Sequence, residues 1–189
     1  MRRLTFAVVA LCASLLPARA ETFAERLSGC LECHGKRGQS EMPETPSVGG
    51  QPLLFLMYQL VFFRGEVRRD SPMNEFAKGM SDDDVRAFSE AMAKLPPPRP
   101  PGAGRDADRF NRGKATAEAF GCGACHNPDY SGREQMPRLS AQREDYLVKS
   151  MQEYKSGKRV GQGAAMPEVM HGVSEDDIVA LAHYFAHLR

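Results

Sequence analysis

Two five-residue stretches carry most of the reactive chemistry in this chain: Cys30-Leu31-Glu32-Cys33-His34 and Cys122-Gly123-Ala124-Cys125-His126. Each sets two thiols three positions apart and an imidazole directly after the second. On a helical turn, residues at i and i+3 share a face and i+4 lies beside them. Two thiols therefore reach the two vinyl groups of one porphyrin while the adjoining imidazole reaches its iron. This C-x-x-C-H spacing is that of c-type haem attachment, and it occurs twice. Cys30, Cys33, Cys122 and Cys125 are expected to bind two haem c groups covalently, with His34 and His126 as iron ligands. A thioredoxin-like dithiol would want a βαβ setting, which the pattern lacks. Paired knuckles making one zinc site from all four thiols, or structural disulfides, are the other readings. All three leave the histidine after each second cysteine unexplained.

The two motifs sit in two copies of one longer pattern. Cys30 aligns with Cys122, Pro46 and Gln51 with Pro137 and Gln142, and Ser81 with Ser174, at offsets of 91 to 93. Beyond that drift, "MNEFAKGMSDDDVRAFSEAMAKL" lies over "MPEVMHGVSEDDIVALAHYFAHL" without a gap. Between the copies, residues 96–104 are rich in Pro and Gly and read as an extended linker. The expected domains are residues 21–95 and 105–189. Ser81 with Asp84, and Ser174 with Asp177, resemble capping boxes with Asp in the acidic position. Behind them Val85, Phe88, Met92 and Leu95 match Ile178, Leu181, Phe185 and Leu188, an amphipathic stripe at helical spacing. Further helices are expected ahead of each haem motif and after Gln51 and Gln142, and no stretch reads well as a strand. The fold is thus all-α. Domains of roughly 75 to 85 residues have little core of their own and usually need a staple; covalent haem supplies one.

The chain opens "MRRLTFAVVALCASLLPARAE", with Arg2 and Arg3 before a short apolar run and Ala18-Arg19-Ala20 after it. That is the pattern of a secretory signal cleaved after Ala20, which predicts the periplasm. The run is shorter than the roughly 20 residues that span a bilayer. Cleavage takes the formal charge from +1 to −2 by removing Arg2, Arg3 and Arg19. Nothing in this nearly neutral balance points to a nucleic-acid partner, which usually needs a clustered basic face, and none is expected.

At this point the chain resembles the cytochrome c4 family of two-domain, di-haem cytochromes. The likeness rests on the twin haem motifs, on "SVGGQ" and "RLSAQ", on "FFRGEVR" and "EYKSGKR", and on the Met-to-"SDDD" and "SEDD" segments. It implies two tandem class I cytochrome c domains, each wrapped around one haem, and one-electron transfer among periplasmic partners. Those partners would be a dehydrogenase or reductase on one side and a terminal oxidase on the other. The Pro-rich linker departs from the family. Cytochromes c of this kind use His/Met ligation, and the repeat selects among the candidates Met73, Met80, Met166, Met170 and His171. Met73 and Met166 each stand eight residues before their helix-capping serine, whereas Met80, Met170 and His171 have no counterpart in the other copy. Met73 and Met166 are therefore expected as the sixth ligands, on loops fixed by Pro72 and Pro167. Pro46 and Pro137 are placed like the proline whose carbonyl steadies the proximal imidazole. His183 and His187 align with Glu90 and Lys94 and are expected on a solvated face.

One asymmetry stands apart from the family pattern. After Gln142 the second copy shows Asp145, Lys149, Gln152 and Glu153 on the polar side of a helix; the first copy has Leu54, Tyr58, Val61 and Phe62 there. An apolar stripe on an outer face marks an interaction surface, for a partner protein or a second copy, or else is covered by the linker or the other domain. Two functions follow: a diffusing electron carrier, or the cytochrome subunit of a dehydrogenase complex of the flavocytochrome c sulfide dehydrogenase type. A di-haem peroxidase would need an open iron position and a longer chain.

Overall fold

The computed structural model describes residues 21–159 and 165–188; the expected signal segment lies outside the described residues. In the first half of the chain, α1 is Phe23–His34, α2 Leu53–Arg64, α3 Met73–Ala77 and α4 Asp82–Ala93. In the second, α5 is Ala107–Ala119, α6 Cys122–His126, α7 Glu144–Lys155, α8 Ala165–His171 and α9 Glu175–Ala186. Among the described residues the sole β feature is an isolated bridge between Arg133 and Met136.

Helix starts follow the local chemistry. Thr22 caps α1 in a full capping box with Glu25, and Ser81 caps α4 in one with Asp84. Ser174 caps α9 by accepting from the N–H of Asp177 at 3.1 Å. The first haem motif is the last turn of α1. The second is cut from α5 by Gly121, whose left-handed φ of 63° lets the chain turn before α6 begins.

Packing divides with the chain. In the first half α2 lies on α3 and α4, and in the second α5 and α7 both lie on α9. The expected stripes form the two cores: Val85, Phe88 and Met92 are buried in one, and Ile178, Leu181 and Phe185 in the other. Gly113 allows the α5–α9 crossing, since a Cβ there would lie 2.1 Å from the Ala180 carbonyl oxygen. The linker is tied down: Gln39 donates to the Arg99 carbonyl at 3.0 Å and accepts the Arg99 N–H at 3.1 Å.

Three expectations need correction. His183 is only 2% exposed, not solvated. Its Nε2 accepts the Asp106 N–H at 3.0 Å, so its Nδ1–H donates to Glu144 at 3.0 Å. These partners come from the starts of α5 and α7, both packed on α9. Half-buried His187 donates Nδ1–H to the His183 carbonyl at 2.9 Å. Second, Met73 opens α3 and Met166 lies in the first turn of α8, so both sit on short helices instead of loops. Pro72 and Pro167 are compatible with this because a first-turn residue has no intrahelical use for its N–H. Third, Glu153 on the polar side of α7 is buried, paired with Lys158 at 3.2 Å.

Candidate functional site

Each proximal histidine is oriented by main chain. His34 Nδ1 lies 2.8 Å from the Pro46 carbonyl oxygen and His126 Nδ1 lies 2.9 Å from that of Pro137. A carbonyl only accepts, so Nδ1 carries the hydrogen and the Nε2 lone pair is left free. Burial lowers the pKa of both rings, outweighing the carbonyl bond, and keeps them neutral. The prolines expected to steady these rings are thus in hydrogen-bonding position. Cys30 and Cys122 are partly covered, and burial pushes both thiols up.

One continuous cavity collects the predicted residues from both halves: Cys30, Cys33, His34 and Met73, with Cys122, Cys125, His126 and Met166. Met73 and Met166 are half-buried against their respective cores, whereas Met80 and Met170 are buried within them.

The same cavity reaches a polar cluster between the halves that sequence reasoning missed. Arg68 donates to Gln59 at 2.7 Å and to the Tyr146 hydroxyl at 3.4 Å. From the other side Arg159 donates to Tyr146 at 3.3 Å, Ser150 at 2.9 Å and Gln59 at 3.2 Å. Asp70 lies 3.6 Å from Arg68 but also pairs with Lys149 at 3.2 Å. Positive charge is in excess. Burial alone would raise the Tyr146 pKa, yet Arg159 and Arg68 bring it down to about 7. The buried Nε atoms of Arg68, Arg138 and Arg159, all lining the cavity, have no partner among the described residues. Unpaired buried donors beside excess positive charge call for an anion, and the carboxylates of haem fit that requirement. A signal existed: Arg68 and Arg159 end the matched segments "FFRGEVR" and "EYKSGKR".

The α2 stripe is open. Leu54, Tyr58 and Val61 are 44%, 42% and 37% exposed, and Phe62 is half-buried. On α7, Asp145 accepts the Glu44 N–H at 3.0 Å and Lys149 pairs with Asp70, so that face meets the first half. Among the described residues no helix is long and apolar enough to cross a membrane.

A family model for cytochrome c matches residues 110–189. The cytochrome c4 of Stutzerimonas stutzeri is 28% identical over 189 residues, covering 90% of this chain and 89% of that protein. Cytochrome c-554(548) of Halomonas halodenitrificans is 37% identical over 67 residues, 34% of this chain and 81% of its own. A thiosulfate dehydrogenase electron acceptor of Stutzerimonas stutzeri is 26% identical, covering 84% of this chain and 78% of that protein. Among solved structures, a cytochrome c4 of Acidithiobacillus ferrooxidans superposes with a TM-score of 0.77 at 24% identity, over 85% of this chain and 99% of that one. A thiosulfate dehydrogenase of Marichromatium purpuratum superposes with a TM-score of 0.74 at 28% identity, over 85% of this chain and 36% of that one.

Proposed function

The chain belongs to the cytochrome c family, in its cytochrome c4 branch, and from that premise we propose that it is a periplasmic di-haem carrier passing single electrons between redox partners. Residues 21–95 and 105–189 are the two domains, each holding one haem c. Cys30 and Cys33 attach the first, with His34 and Met73 as axial ligands; Cys122 and Cys125 attach the second, with His126 and Met166. The observation that carries this reading is the single cavity onto which both sets open. Bound haem supplies a one-electron iron couple. The chain's own groups fix the imidazole tautomer, offer a thioether sulfur, exclude water and, at Arg68, Arg138 and Arg159, balance negative charge. With both axial positions taken, no position is left for a substrate, which favours transfer over catalysis. The leader-like residues 1–20 support export.

A haem count per chain, with the intact mass, tests this: two haems are expected. Met73→Ala and Met166→Ala should each abolish the sulfur-to-iron charge-transfer absorption of one haem and leave both covalently attached. Unchanged axial ligation in both variants overturns the ligand assignment.

A second reading, a stable subunit of a dehydrogenase complex, is favoured by the open stripe of Leu54, Tyr58 and Val61. The relatives above include a thiosulfate dehydrogenase of one organism and a thiosulfate dehydrogenase electron acceptor of another, so a thiosulfate-oxidising dehydrogenase is the electron donor we infer.

A further inference from the structure

The peptide joining Pro46 to Ser47 is held at both ends. Its carbonyl accepts from His34 at 2.8 Å, and its N–H, that of Ser47, donates to Oε1 of Gln142 at 2.8 Å. The Pro137–Arg138 peptide repeats the arrangement: its carbonyl accepts from His126 at 2.9 Å and its N–H donates to Oε1 of Gln51 at 2.9 Å. Each glutamine closes a clamp with its Nε2, Gln142 on the Ser47 carbonyl at 2.8 Å and Gln51 on that of Arg138 at 3.1 Å. Both side chains are under 5% exposed, so water does not compete. The clamps are exchanged: the glutamine of each half grips the peptide that orients the other half's histidine.

Peptide resonance links the two ends of each group. An acceptor on the N–H drives negative charge onto the carbonyl oxygen, and hydrogen bonds in a chain strengthen one another. A stronger acceptor at Nδ1–H makes the imidazole a better donor to a metal at Nε2. A better donor favours ferric over ferrous iron and lowers the reduction potential. We propose that Gln142 and Gln51 are positioning residues acting across the interface, each depressing the reduction potential of the haem held by the opposite half. This rests on His34 and His126 as iron ligands. It also gives docking of the halves a redox consequence, since separating them would raise both potentials.

Gln142→Met and Gln51→Met keep side-chain length and remove the acceptor. Potentiometric titration, with electrons supplied by mediators, should show Gln142→Met raising the potential of the haem at His34 and Gln51→Met that of the haem at His126. We expect roughly a threefold change in each reduction equilibrium constant, about 28 mV on the scale of about 59 mV per decade for one electron. The hyperfine-shifted Nδ1–H resonances of the oxidised protein assign the haems and should move in the same crossed pattern. A shift in the glutamine's own half, equal shifts of both haems from either variant, or no shift in the double variant overturns the proposal. Equal shifts are what mere loosening of the interface would give. If the Met variants do not fold, Gln142→Glu and Gln51→Glu pose the same question with a fall expected; a larger fall in the glutamine's own half overturns it. Altered haem count or axial ligation in the unmodified protein would instead overturn the ligand reading itself.

Discussion

At the residue scale, two methionines seven positions apart divide by environment. Both line the cavity, but Met80 is buried in the first core with Phe63, Val85 and Phe88, while Met73 is half-buried at its edge. Met80→Ala should therefore cost about 2 to 5 kcal/mol, the usual range for emptying a buried methionine site. Urea unfolding measures the loss, and the axial-ligand absorption should be unchanged. The difference in burial runs parallel to the repeat, in which Met73 has a twin in Met166 and Met80 has none. His183 was misread because its partners, Asp106 and Glu144, lie 77 and 39 positions away on helices whose convergence no local pattern records.

At the element scale, the α4 N-terminus ties two helices together. Asp84 accepts from Arg26 on α1 at 2.6 Å and from the Ser81 N–H at 3.0 Å. Those bonds, led by Arg26, lower its pKa from 3.8 to about 2. A depressed carboxyl stabilises the fold above its unfolded pKa and loses that contribution as pH falls through the folded one. The stability gap between the parent and Asp84→Asn should thus be full above about pH 4 and close toward pH 2, by thermal unfolding across that window; a gap independent of pH there would refute it. Helix crossing is the other element-level constraint. Gly113→Ala would drive a methyl into the Ala180 carbonyl and within 2.6 Å of the Tyr184 Cβ. Overpacking of this sort costs about 1 to 3 kcal/mol, readable as a lowered urea midpoint. The helices and caps were legible because hydrophobic period and Ser-x-x-Asp are local signals; the Gly113 contact was not, since it depends on how α5 meets α9.

At the scale of the molecule, the repeat shows two equivalent halves but not how they face each other. Gln51 and Gln142 stand at matching positions, yet only apposition of the halves shows that each serves its neighbour. The same apposition explains why α2 and α7 have diverged. Asp145 and Lys149 on α7 are taken up by Glu44 and Asp70 of the other half, whereas Leu54 and Tyr58 on α2 stay open to solvent. Keeping an apolar outer face costs solubility unless something covers it, and we propose this stripe as the surface on which a donor protein seats. Truncating its centre with Tyr58→Ser and Val61→Ser removes apolar area worth about 25 cal/mol per Å² when covered. Since about 1.4 kcal/mol is tenfold in affinity, the double variant should weaken the complex with a thiosulfate-oxidising dehydrogenase by about tenfold, measured as the concentration dependence of its reduction rate. The two potentials and the limiting rate at saturation should stay put, because neither side chain touches the proposed ligands' supports. Unaltered half-saturation in the double variant would move the docking face elsewhere on the molecule.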